Sequence, residues 1–185
     1  MEQRRYIILG ISGSLRKRSS NTRLLSFIEQ LLPEGTEFRQ FDGLAALPHF
    51  NPDIDGVEAE VHDKVREWRL NVQEADAVVI CTPEYARGVP GSLKNALDWV
   101  VSSGEFVSKP TAIISASPHA DGGAAALASL KLTLTMMTAD LPEHASLAIP
   151  YISKIIEQDG SVSEPHMVSL LCKLVRSLLQ AVSSK

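Results

Sequence analysis

Short apolar segments typical of strands alternate along this chain with longer segments that have helical spacing. The clearest strand is the continuous apolar run ADAVVICTP at 75–83, because a central parallel strand is covered on both faces. Other strands are predicted at 6–12, 36–42, 109–117 and 144–149. Apolar residues three and four apart predict helices at 21–32, 57–74, 90–101, 124–138 and 164–182. A strand followed by a helix, five times over, predicts an α/β fold: a doubly wound five-stranded parallel sheet with helices on both faces.

Length, charge and cysteine content narrow the class of protein. With 185 residues, we expect one domain over 1–185. The formal net charge of -4 gives no basic field for nucleic acid and no polybasic patch for a membrane surface. No apolar run reaches the roughly 18 residues of a membrane span. Cys81 and Cys172 lie far apart without metal-ligand spacing, so we expect no structural metal and a reducing, cytoplasmic location.

The turn after the first strand has the composition of a phosphate site. In a doubly wound sheet, ligands bind beyond the carboxyl ends of the strands, and GSLRKRSSNT at 13–22 lies there, where a helix begins. Unpaired N–H groups at a helix N-terminus attract anions, and a guanidinium can bind a phosphate through two hydrogen bonds. The candidate phosphate ligands are Ser14, Arg16, Ser19, Ser20, Asn21 and Thr22. Alternatively, Ser20 only caps the helix and the charges at 16–18 are solvated.

Two other phosphate loops are excluded by their spacing. The P-loop pattern GxxxxGK[ST] is absent. The dinucleotide-binding pattern GxGxxG is not met either, because a match that starts at Gly10 would need glycine at positions 12 and 15, which are Ser12 and Leu15. Asp42 follows the second strand as a ribose-binding acid would, but it lies farther from Gly13 than the roughly 20 residues expected.

The turns after the third and fourth strands suggest a site for a planar group. In TPEYARGVPG at 82–91, prolines and glycines predict an irregular loop, and Tyr85 offers a ring face for stacking. The alternative is a plain connection with Tyr85 used for packing. In SPHADGG at 117–123, paired glycines allow close main-chain approach to a ligand. His119 in this turn is more often merely solvated, and Cys81 at a buried strand end is expected to be an inert core thiol.

Together these turns resemble the NADPH-dependent FMN reductase family, which includes quinone, chromate and azo-dye reductases. The segments that carry the resemblance are GSLRKRSSN, PEYARGVPGSLKNALDW and ASPHADGG, with a further likeness in LPHFNPDID at 47–55. The resemblance implies a flavodoxin-like sheet of order 2-1-3-4-5 and noncovalently bound FMN. It also implies a homodimer or homotetramer.

The resemblance assigns residues to parts of the cofactor. Ser14, Arg16, Ser19 and Asn21 would hold the FMN phosphate. The isoalloxazine ring would be bordered by Pro83, Glu84, Tyr85, Ser117, Gly122 and Gly123. This sequence departs from the family's pattern at two places. Ala86 replaces an asparagine that many members have, so flavin contact there would be main-chain only, and His119 to Asp121 replace small residues.

The implied reaction is transfer of hydride from NADPH through FMN to a small acceptor, either free flavin, a quinone, an azo dye or a metal oxyanion. No catalytic side chain is expected, because the redox chemistry belongs to the flavin. The alternatives are a flavodoxin-type one-electron carrier and a nonenzymatic FMN-binding module. At least a dimer is expected, with Trp99, Val100 and the 43–56 loop near the flavin edge.

Overall fold

The computed structural model describes residues 5–55 and 61–184. Its five strands all pair in parallel, in the order β2-β1-β3-β4-β5, which confirms the predicted fold. Their bounds are β1 Tyr6–Ser12, β2 Thr36–Phe41, β3 Ala77–Thr82, β4 Thr111–Ala116 and β5 Ser146–Ile149. The carboxyl ends of β1, β3 and β4 therefore lie side by side at one edge of the sheet.

Six helices connect or follow the strands in the described residues. They are α1 Ser20–Gln30, α2 Asp63–Glu74, α3 Gly91–Asp98, α4 Ala124–Met136, α5 Ile152–Ile155 and α6 Pro165–Ser183. The predicted start of α2 at Val57 lies outside the described residues. Residues 61 and 62 are not helical, and His62 caps the helix by accepting the Lys64 N–H through Nδ1. The short α5 was not predicted from the sequence.

Alternation along the central strands divides the core between the two faces of the sheet. In β3, Ala77, Val79 and Cys81 pack on one side, while Val78 and Ile80 pack on the other. The first side is covered by α1 and α6, and the second by α2, α3 and α4. Both sides are needed because every residue of β3 is buried.

The described part of the loop after β2, residues 42–55, is fastened to the end of α3. It forms two 3-10 turns, at Gly43–Ala46 and Pro52–Ile54. The Trp99 indole N–H donates to the Pro48 carbonyl at 2.8 Å, and the Phe50 ring packs edge-on against Trp99. Trp99 and Val100 are both fully buried. Neither side chain is therefore exposed at the surface of the chain, and the expected position of these residues near the flavin edge stays a prediction.

Within the described ranges, none of the helices combines the length and the apolar character that crossing a membrane requires.

Candidate functional site

A cavity of about 220 Å³ lies at the carboxyl ends of β1, β3 and β4. Nine of the predicted site residues line it, namely Ser14, Arg16, Ser19, Ser20, Asn21, Pro83, Glu84, Tyr85 and Ser117. Four further lining residues were not proposed as ligands, namely Ala116, Pro118, His119 and Ile152. The remaining predicted residues, Thr22, Ala86, Gly122 and Gly123, lie outside the lining. Cofactor contact by these four stays a prediction.

The N-terminus of α1 forms one end of the cavity. Ser19, not Ser20, is the N-cap, and its hydroxyl accepts the N–H groups of Asn21 at 3.2 Å and Thr22 at 3.5 Å. Ser14, Ser19 and Asn21 are buried polar residues. Asn21 Oδ1 has no hydrogen-bond partner among the residues that the structure describes. A buried polar atom without a partner costs free energy, so this end of the cavity is prepared for a polar ligand.

Two arginines, Arg16 and Arg23, bring positive charge to the end of the cavity formed by the α1 N-terminus. Arg16 is exposed and lines the cavity, and no ion pair of its side chain occurs within 5–55 and 61–184. Arg23 donates from Nη2 to the Ser20 hydroxyl at 3.3 Å and from Nη1 to the Glu157 carbonyl at 2.6 Å. The Arg16 guanidinium is thus available to an anion, while the Arg23 guanidinium is held by hydrogen bonds to the Ser20 hydroxyl and the Glu157 carbonyl.

Thr22 faces away from this cavity. Its hydroxyl donates to Ser12 Oγ at 2.9 Å, and its side chain lines a neighbouring cavity of about 380 Å³ on the β2 side. Ser14 and Arg16 border both cavities.

The β3–α3 connection contains a two-residue hairpin turn. Tyr85 and Gly88 exchange two main-chain hydrogen bonds, of 2.9 and 3.0 Å, and the residues between them, Ala86 and Arg87, have φ of 49° and 64°. Positive φ at both central positions defines a type I′ turn, which favours asparagine and glycine. Ala86 is not among the residues that line the cavity, and Tyr85 is about half exposed at the rim.

Glu84 holds this connection against α4. Its Oε2 accepts the N–H groups of Ala125 at 3.0 Å and Ala126 at 3.1 Å, so the carboxylate caps a helix whose N-cap residue, Gly123, has no side chain to do so. Arg87 Nη1 lies 3.6 Å from Glu84 Oε1 and 3.2 Å from Asp121 Oδ2. The turns after β3 and β4, which form two sides of the cavity, are therefore joined by charged side chains.

The turn after β5 also belongs to the site, although the sequence did not indicate it. Ile152 N–H donates to the Ser117 carbonyl at 3.0 Å, and Tyr151 N–H donates to the His119 carbonyl at 3.3 Å. Gly122 makes this contact possible, because its φ is +63° and an added Cβ would lie 2.9 Å from the Ile149 carbonyl carbon. Gly122 thus allows close approach to the β5 turn, whereas its expected close approach to a ligand stays a prediction.

Comparison with known proteins identifies the family. A family model described as NADPH-dependent FMN reductase matches residues 7–153. The chain belongs to this family. A quinone reductase of Pseudomonas putida is 30% identical over 163 residues, 86% of each chain. A 2-hydroxy-1,4-benzoquinone reductase of a Burkholderia species is 34% identical over 155 residues, 82% of each chain. FerB, a flavoenzyme NAD(P)H:acceptor oxidoreductase from Paracoccus denitrificans, has a solved structure that matches 97% of this chain with a TM-score of 0.79 and 29% identity, covering 98% of FerB.

The chain is therefore an oxidoreductase that uses FMN as cofactor and NAD(P)H as electron donor, as the resemblance to this family implied. The residues around the cavity fit the cofactor's chemistry. A phosphate needs donors and positive charge, which the α1 N-terminus and Arg16 provide. The unpaired Asn21 Oδ1 needs a donor, and the ribityl hydroxyls of FMN are donors.

Proposed function

We propose that FMN binds in this cavity, with its phosphate at the N-terminus of α1 and its ring over the β3 and β4 turns. The observation that carries the phosphate assignment is the grouping of the Ser14, Ser19 and Ser20 hydroxyls with the exposed Arg16 at the N-terminus of α1. Asn21 Oδ1, which lacks a partner in the described parts of the chain, would accept a hydrogen bond from a ribityl hydroxyl. The strand order places the β1 and β4 turns two strands apart, about 10 Å at the usual spacing. The ribityl chain would bridge that distance between phosphate and ring.

When bound, FMN supplies the redox chemistry, accepting two electrons as hydride from NADPH and passing them to a small acceptor. The chain's own residues bind and orient the cofactor. Arg16 and the α1 N-terminus hold the phosphate, Tyr85 offers a ring face at the rim, and Glu84 fixes the two turns beneath the ring. No side chain in this arrangement must give or take a proton for hydride transfer.

Quinones are the acceptor class that we propose. The relatives named quinone reductase and 2-hydroxy-1,4-benzoquinone reductase support it. Initial rates measured with NADPH and 1,4-benzoquinone should give parallel double-reciprocal lines, because one open ring face serves both substrates in turn. Lines that intersect at all concentrations would show a ternary complex and a separate acceptor site.

We also propose that the protein is at least a dimer and that a partner chain completes the site. A cavity of about 220 Å³ is smaller than the roughly 300–1,000 Å³ of most ligand pockets. Leu132 and Met136, one turn apart on α4, are 75% and 61% exposed, and such apolar side chains are candidates for a subunit contact. Sedimentation of a fully active monomer would contradict this proposal.

We propose a reducing, cytoplasmic setting for the enzyme. Both cysteines are free thiols in the structure, with Cys81 buried and Cys172 partly buried, and unpaired cysteines are common where disulfides do not persist.

A further inference from the structure

His119 is held in place by its main chain, and the residue lines the cavity. Its N–H donates to Ser117 Oγ at 3.2 Å, and its carbonyl accepts the N–H groups of Gly122 at 3.2 Å and Tyr151 at 3.3 Å. The residue is exposed and belongs to the cavity lining. Across residues 5–55 and 61–184, no hydrogen bond or ion pair of this ring is found. A fixed backbone thus presents an imidazole whose two nitrogens are available to a ligand.

The other ionisable groups near this end of the cavity are already engaged or distant. Glu84 binds the N-terminus of α4, and Arg87 pairs with Glu84 and Asp121. Arg16 belongs to the β1 turn, about two strand spacings away. The remaining groups around His119 are the Tyr85 phenol on the β3 turn, and Tyr151 with Lys154 near its ring on the β5 turn.

We infer that the His119 imidazole contacts the ring of bound FMN and, when protonated, stabilises the reduced cofactor. This inference rests on the proposed binding mode. Hydride carries two electrons and one proton, so its transfer adds one unit of negative charge to the ring while NADPH leaves as NADP⁺. A positive charge beside the ring therefore favours the reduced form over the oxidised form, and charge near the ring is a known way in which proteins tune a flavin.

Histidine is the side chain whose ordinary titration falls between pH 5 and 8. A protonated imidazole beside the ring should bind reduced FMN more tightly, whereas a neutral imidazole should have no such effect. We expect the ratio of the dissociation constants of oxidised and reduced FMN to rise about tenfold on acidification. For a two-electron couple, a tenfold ratio corresponds to about 30 mV in reduction potential.

The test is the reduction potential of the FMN-bound protein, measured anaerobically against a reference dye between about pH 5.5 and 8.5, a range that brackets histidine titration. At each pH it is compared with the potential of the FMN-bound His119→Gln variant in the same buffer. The potential of the unmodified protein should rise above that of His119→Gln as the pH falls. The potential of His119→Lys should stay above that of His119→Gln at every pH. His166→Gln, at an exposed position on α6, should behave like the unmodified protein.

Three results would overturn the inference. The first is a difference between the unmodified protein and His119→Gln that does not change with pH, and the second is a potential of His119→Lys no higher than that of His119→Gln. The third is an equal loss of affinity for oxidised and reduced FMN in His119→Gln, which would show that the residue only supports the site. A protein that takes up no FMN would overturn the proposed function as well. A protein that binds FMN but shows any of the three results would leave that function standing.

Discussion

Removing the Glu84 carboxylate should destabilise the fold and the cofactor site together. In Glu84→Ala, the N–H groups of Ala125 and Ala126 lose an acceptor at 3.0 and 3.1 Å, and Gly123 cannot replace it. Loss of a helix cap costs about 0.5–2 kcal/mol, and hydrogen bonds to charged groups are worth about 1.5–3 kcal/mol. Because the Glu84 side chain is only 12% exposed, we expect a loss of about 2–3 kcal/mol.

Thermal unfolding of the flavin-free protein measures this loss, since bound FMN would add its own stabilisation. At about 2–4 °C per kcal/mol for a chain of this size, the midpoint should fall by about 4–12 °C. Glu84→Gln keeps an acceptor oxygen and loses only the charge at the helix N-terminus, worth about 0.3–1 kcal/mol, so its midpoint should fall by about 1–4 °C. Glu143→Ala removes an exposed carboxylate whose one ion pair within the described residues is with His144, and it should change stability by less than about 0.5 kcal/mol.

The same variant separates a ring-end defect from a phosphate-end defect. Because Glu84 joins the turns beneath the proposed ring position, Glu84→Ala should weaken binding of FMN and of riboflavin, which has no phosphate, by similar factors. An unfolding midpoint equal to that of Glu143→Ala would refute the capping argument. A loss confined to FMN would refute the proposed position of the ring.

Three shorter predictions follow from the site. Arg16→Ala should weaken FMN binding about tenfold and should leave riboflavin binding unchanged, as fluorescence titration of both ligands would show. The loss should be smaller than that from removing a buried guanidinium, because Arg16 is exposed to solvent. Ala86→Asn should raise the unfolding midpoint by about 1–3 °C, because asparagine tolerates the positive φ of 49° better than alanine, and a lowered midpoint would contradict the turn assignment. Cys81 should resist alkylation in the folded protein, since burial raises the pKa of its thiol well above the ordinary value; mass spectrometry after iodoacetamide treatment should find label on Cys172 first.

The alternating apolar runs made the sheet and most helices predictable. A strand such as β3, buried on both faces, has no other stable place in a chain of this size. The phosphate end was predictable for a related reason, because a helix N-terminus directly after a strand lies at a known edge of the sheet. Start points of helices were less certain, as the placement of α2 shows.

The rest of the site depends on contacts between residues distant in sequence. Glu84 and Ala125 lie 41 positions apart, and nothing local to PEYARG indicates that its carboxylate caps a helix. The type I′ turn was missed because Ala86 and Arg87 are not the residues that usually specify it. The β5 turn was missed because its link to Ser117 and His119 is made by main-chain groups, which any sequence could supply.

The most direct test of the account is anaerobic addition of NADPH to the purified protein after incubation with FMN and removal of free flavin. The account predicts a yellow protein with about one FMN per chain, bleached in a single phase by one equivalent of NADPH and recoloured by one equivalent of 1,4-benzoquinone. A protein that retains no FMN, or that stays yellow with excess NADPH, would contradict it.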